Sequence, residues 1–157
     1  METVCRDQMV ARADAYRILA AFMNLPTQDF NQSLQDGSMM LSWQAIIPHL
    51  SWSEESARDA ETILSEYANE EPSSLEQLRI EYTRLFSHPD HPVVFPYEAQ
   101  FLFSHALDDA DKEPVFVINK IALDVDEAYQ NAGYQRPRGK VISSDYLGTE
   151  LSFVALL

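Results

Sequence analysis

Four side chains near the middle of the chain are of metal-binding type: His88, Asp90 and His91, with His105 further on. Imidazole and carboxylate hold zinc when three or four of them converge at fixed geometry. The spacing HPDH matches no established ligand pattern, so a polar loop is expected and no metal site is assigned. The alternative is a metal-dependent helical hydrolase using His88, Asp90 and His91. Cys5, the one cysteine, has no histidine or other base nearby in sequence, so an activated thiol is not expected. No serine elbow, glycine-rich phosphate loop or dinucleotide fingerprint occurs. Paired acids such as Glu54-Glu55 and Glu70-Glu71 diverge on a helix and read as solvated faces. Neither an enzyme nor a cofactor is expected.

One segment is suited to binding instead. EYTRLFSHPDHPVVFPYEAQF, residues 81–101, has an apolar pair at a helix end, Leu85-Phe86, behind Tyr82. A loop rich in proline follows over 88–97. Phe95, Pro96 and Tyr97 then bring aromatics to the start of the next helix, and Glu98 sits in its first turn, where the dipole favours an acid. A stiff loop bearing aromatics beside a carboxylate can form a peptide groove. Phe86 and Tyr97 as ordinary core residues are the competing reading.

The elements that would position this loop are helical. Over 7–25 an apolar stripe of Met9, Ala13, Tyr16, Ala20 and Met23, widened by Leu19 and Phe22, predicts a helix closed by Pro26. A short helix is expected over 28–35, ended by Gly37. The apolar stretch 39–50 is also read as helix. Ser51 with Glu54, and Ser73 with Glu76, fit capping boxes. The stripes behind them are Ala57, Ala60, Leu64, Tyr67 and Leu75, Leu78, Tyr82, Leu85, Phe86. After the loop a helix resumes over 98–107, followed by an acidic link. Another runs over 114–132 with Val115, Ile118, Ala122, Val125, Tyr129 and Ala132 on one face, between Pro114 and Gly133. Ser143 or Ser144 is expected to cap a last helix carrying Leu147, Leu151, Val154 and Ala155. An all-α, single helical-bundle domain over 1–157 is therefore expected, with the 88–97 loop as its hinge.

Composition narrows the class. With 157 residues, 46% apolar and only 4 glycines, the chain can bury a core and lacks the turn chemistry of an all-β protein. It has 25 acidic against 11 basic residues, a net charge of -14. Such a surface repels nucleic acid and attracts a cationic partner. No apolar run reaches membrane-spanning length, and the N-terminus lacks a secretory pattern. A lone cysteine fits a reducing, cytoplasmic setting. The ending LSFVALL has no polar tail or glycine stop, so the chain is expected to lack its last helices.

Several segments together resemble the TorD/DmsD/NarJ family of cytoplasmic maturation chaperones for molybdoenzymes. They are YRILA at 16–20 before Pro26, EYTRLF at 81–86, the proline loop, Pro96-Tyr97-Glu98, and SDYLGTEL at 144–151. The likeness spans nearly the whole chain in order. It implies an all-helical fold of the TorD-like type. It also implies binding to the twin-arginine leader and apo catalytic subunit of a molybdenum oxidoreductase, with help in cofactor loading and a block on premature export. Carried over from the family, the peptide contacts are Leu85, Phe86, Pro96, Tyr97 and Asp145; with the adjoining Tyr82, Phe95, Glu98 and Tyr146 they make up the expected peptide site. The family's histidine after the aspartate is Tyr146 here, which keeps an aromatic body and a hydrogen-bonding tip but cannot become cationic. Family chains continue past this motif, and a homodimer or swapped helices would cover Leu151 and Val154.

Overall fold

The computed structural model describes residues 2–50, 52–69, 74–88, 92–106, 120–136 and 142–157. These form eight α-helices and no strand, in agreement with the all-α expectation. Helix α1 (Glu2–Phe22) stops short of Leu25-Pro26. Thr27 then starts α2 (Gln28–Gln35), its hydroxyl accepting the Phe30 N–H at 3.2 Å. Gly37 takes φ 75°, which L side chains rarely adopt, and turns the chain into α3 (Ser38–Ile46). A single 3-10 turn, Ile47–His49, ends that segment at Pro48.

The main apolar cluster lies between α1 and α3. Ala11 and Ala15 meet Trp43 and Ile46, with Ile18, Met39, Ile47, Leu50 and Leu64 packed around them. Alanines at the contact let the helices approach the indole closely. The expected α1 stripe is therefore partly displaced: Ala20 is buried, but Met9 is 59% and Tyr16 36% exposed. Apolar residues occupy much of the circumference of α1, so its sequence does not fix which side turns inward. The tryptophan on α3 does.

Helix α4 (Glu54–Asn69) is started by Ser53, whose hydroxyl accepts the Ser56 N–H, in place of the expected Ser51, which lies outside the described residues. Helix α5 (Leu75–Tyr82) is started by a capping box of Ser74 and Gln77, one residue beyond the Ser73-Glu76 pair expected. Ser73 lies outside the described residues. Beyond Tyr82 the chain does not continue as α-helix. Residues Thr83–Ser87 form one π turn.

Helix α6 (Glu98–Ala106) follows the proline loop. Helix α7 is described over Lys120–Asn131; its expected start at Pro114, with Val115 and Ile118, lies outside the described residues. Ala122 and Tyr129 are buried as expected, whereas Ala132 is exposed. Gly133, at φ 72°, closes the helix, and the Tyr134 N–H returns to the Tyr129 carbonyl at 2.8 Å. The last helix, α8 (Leu147–Val154), begins at Tyr146, not at Ser143 or Ser144. Ser144 is buried instead, and its carbonyl accepts the Tyr129 hydroxyl at 2.9 Å. Helix α8 packs along α1, with Ala20 and Ala155 both buried. Its Phe153 ring stacks on Tyr129 and Tyr134, centroids 4.7 and 5.4 Å away. Leu147 and Val154 remain exposed. No helix among the described residues is long and apolar enough to cross a membrane.

Candidate functional site

Two helix starts are tied together by backbone. The Glu98 N–H donates to the Asp145 carbonyl at 2.9 Å, and the Leu147 N–H donates to the Pro96 carbonyl at 2.8 Å. Tyr97 and Tyr146 thus face each other as an antiparallel bridge, with ring centroids 5.4 Å apart. Pro96 donates nothing, but its carbonyl is free to accept. The Asp145 carboxylate adds a third tie, Oδ2 accepting the Ala99 N–H at 3.2 Å. A negative oxygen at the first turn of α6 complements the partial positive charge there. A residue 46 positions away thereby does the work of an N-cap.

A cluster of phenols adjoins the bridge. Tyr82 and Tyr146 place their hydroxyls 2.9 Å apart, and both reach the Met23 carbonyl just beyond α1. Two hydroxyl protons serve three contacts, so the α1 end, α5 and the α8 start are locked by a shared network. Burial pushes the Tyr146 phenol far up, reinforced by the hydrogen bond to Tyr82 and by the neighbouring Tyr97. Burial, then Tyr82 and Asp145, raise Tyr97 as well. These groups stay neutral and act as hydrogen-bonding aromatics. Gly148 is what lets Tyr146 lie down: a Cβ there would stand 2.7 Å from Tyr146 Cε1 and 3.0 Å from Met23 Cβ.

The π turn places the apolar pair. It widens the helix so that the Leu85 carbonyl accepts the Val94 N–H of the proline loop at 2.9 Å. Phe86 meanwhile lies against Tyr82, centroids 5.2 Å apart.

Three acids gather beside the bridge. Glu98 is exposed, Glu150 half-buried and Asp145 only 1% exposed. Asp145 Oδ1 and Glu150 Oε1 are buried without a hydrogen-bond partner. Burial, followed by the charges of Glu98 and Asp145, pushes Glu150 up to about 7.

Of the nine residues expected at a peptide site, Tyr82, Phe86, Pro96, Tyr97, Asp145 and Tyr146 are joined by these contacts, and Leu85 is tied in through its carbonyl. Phe95 adjoins Pro96 and is half-buried, and Glu98 caps the edge. Pro96, Asp145 and Tyr146 are buried, so they brace the corner; Leu85, Phe86, Phe95 and Tyr97 retain accessible surface. A hollow of about 410 Å³ opens behind Tyr146, lined mainly by apolar atoms of Leu25, Phe30, Tyr134, Ile142 and Gly148 with Arg136. None of the nine lines it. The sequence reading missed Met23, Gly148 and Glu150 as parts of this region, although Gly148 and Glu150 stood within the recognised SDYLGTEL segment.

Of the alternative metal set, His88 is exposed, and Asp90, His91 and the His105 side chain lie outside the described residues. Among the described residues no three metal-ligating side chains converge. Glu54-Glu55 begin α4 as expected of a charged first turn.

Residues 51–157 match the family model described as nitrate reductase delta subunit. The chain belongs to that family, the NarJ/TorD type of molybdoenzyme maturation chaperones, which are not catalysts. No curated protein and no solved structure matches the chain.

Proposed function

We propose that this chaperone works in the cytoplasm by binding the twin-arginine leader of the apo catalytic subunit of a molybdenum oxidoreductase. By holding that subunit it assists cofactor loading and delays export. In this reading residues 1–157 act as one chaperone domain. The observation that supports it is the corner itself: half-exposed Leu85, Phe86, Phe95 and Tyr97 held beside carboxylates by a rigid network. Such a leader is cationic at one end and apolar along its middle. The net charge of -14 steers the cationic end inward, and the aromatics take the apolar part. Burying ~400 Å² of apolar peptide surface yields roughly 10 kcal/mol before ordering costs. Those costs leave a reversible complex of about micromolar affinity, as a chaperone that must release its client requires.

Calorimetry with a synthetic twin-arginine leader tests the reading. Binding at about micromolar Kd is expected, weakened in the Tyr97→Ala variant while its circular dichroism and melting remain those of a folded protein. Absence of binding at tens of micromolar by folded protein rejects it.

A further inference from the structure

The hollow behind Tyr146 takes no part in the corner. Its volume is about 410 Å³. Small-molecule sites span about 300–1,000 Å³. Apolar wall comes from Ala21 and Leu25 around the end of α1, Phe30 of α2, and Tyr134 and Ile142 beyond α7. These walls are set before any ligand arrives. Phe22 meets the Phe30 ring edge-on at 5.1 Å. Tyr129 and Phe153 hold the Tyr134 ring, centroids 5.0 and 5.4 Å away. A preformed wall saves ordering on binding, and two aromatic rings in it suit an aromatic guest.

The charge of this wall runs against that of the molecule. The chain has 25 acidic residues against 11 basic. Among the described residues that line the hollow, none is acidic and Arg136 alone is charged. Its Nη1 donates to the Ile142 carbonyl at 3.0 Å, and its Nη2 meets Asp126 Oδ1 at 3.2 Å. The guanidinium is thereby held at the rim. The ion pair is exposed, 38% and 34% for the two side chains. A pair so exposed is weak, and a guanidinium fork can serve a second anionic group. The Thr27 hydroxyl, also in the wall, accepts the Phe30 N–H and keeps its own proton to donate.

We propose that this hollow is a second binding site, for a small apolar molecule with one negative charge, an aromatic carboxylate or sulfonate in class. Its ring packs against Phe30 and Tyr134, and its acid group sits on Arg136 with Thr27 donating. One guanidinium already shared with Asp126 matches a single negative charge, so a polyphosphate is a poor fit. The site is independent of leader binding, since a cationic leader meets no acid in this wall.

The probe is anilinonaphthalene sulfonate, an aromatic dye with one sulfonate, compared with phenylnaphthylamine, its uncharged counterpart. Titrated into the full chain, the sulfonate dye should saturate a single site with a Kd on the order of tens of micromolar, weakened by salt. The uncharged dye should bind several-fold more weakly. Ala21→Leu narrows the hollow and should weaken both dyes several-fold. Arg136→Gln should erase the preference for the sulfonate. Asp126→Asn removes the competing carboxylate and should tighten the sulfonate dye several-fold while leaving the uncharged one unchanged. That selective gain keeps the test decisive if either of the other variants disturbs the fold, because damage does not improve one ligand alone. Absence of saturable binding, or dye binding unchanged in a folded Ala21→Leu variant, overturns the site. Equal affinity for the two dyes, or no gain in Asp126→Asn, overturns the recognition of an anion.

Discussion

The surroundings of Tyr146 are built for a phenol. Its hydroxyl reaches the Met23 carbonyl and the Tyr82 hydroxyl, and its ring lies on Gly148. The recognised segment placed Asp145 and Tyr146 at the corner, but nothing in it named the carbonyl of residue 23 as their anchor. Backbone acceptors are the same at every residue and leave no trace in sequence. Gly148 did leave one: a glycine inside an otherwise helical pattern signals close approach. Gly148→Ala should force Tyr146 or Met23 to move, since the new Cβ would sit 2.7 Å from the ring. A loss of about 1–3 kcal/mol is expected from urea unfolding. An unchanged midpoint would mean the corner relaxes freely.

At the scale of elements, what sequence fixed well was local. Helix α2 runs Gln28–Gln35 as expected because Thr27 and Gly37 both punctuate it. Starts with two nearby serines were misread by one or two residues, because Ser51 and Ser53, or Ser73 and Ser74, present equal hydroxyls. The π turn Thr83–Ser87 was not legible at all, since the hydrogen bond that goes with it, from the Val94 N–H to the Leu85 carbonyl, comes from across the proline loop. Helix α6 depends likewise on a distant group, Asp145. Asp145→Ala should therefore cost about 1–3 kcal/mol by leaving the Ala99 N–H unpaired. Asp145→Asn, which keeps an acceptor oxygen, should cost clearly less. Equal losses for the two variants, read by chemical denaturation, would show that the carboxylate oxygen is not what starts α6.

For the whole molecule, charge decides behaviour. Glu150 has its folded pKa raised from 4.5 to about 7, so between those values the folded state holds a proton that the unfolded chain has lost. Stability should then fall as pH rises from about 4.5 to about 7 and level off above. Glu150→Gln should flatten that decline in thermal melts; a decline of the same depth in the variant would assign it to other acids. The net charge of -14 predicts that leader affinity drops with added salt, chiefly through slower association. Stopped-flow rates insensitive to salt would remove steering from the account.

The central claim is that a cationic, apolar leader seats on the corner between the π turn and the paired starts of α6 and α8. Hydrogen–deuterium exchange of the full chain, with and without a synthetic twin-arginine leader, addresses it directly. The account predicts added protection over residues 82–88, 92–101 and 142–152, with α3 and α4 unchanged. Protection confined to other surfaces, such as the outer face of α5 around Leu75 and Ile80, would contradict it.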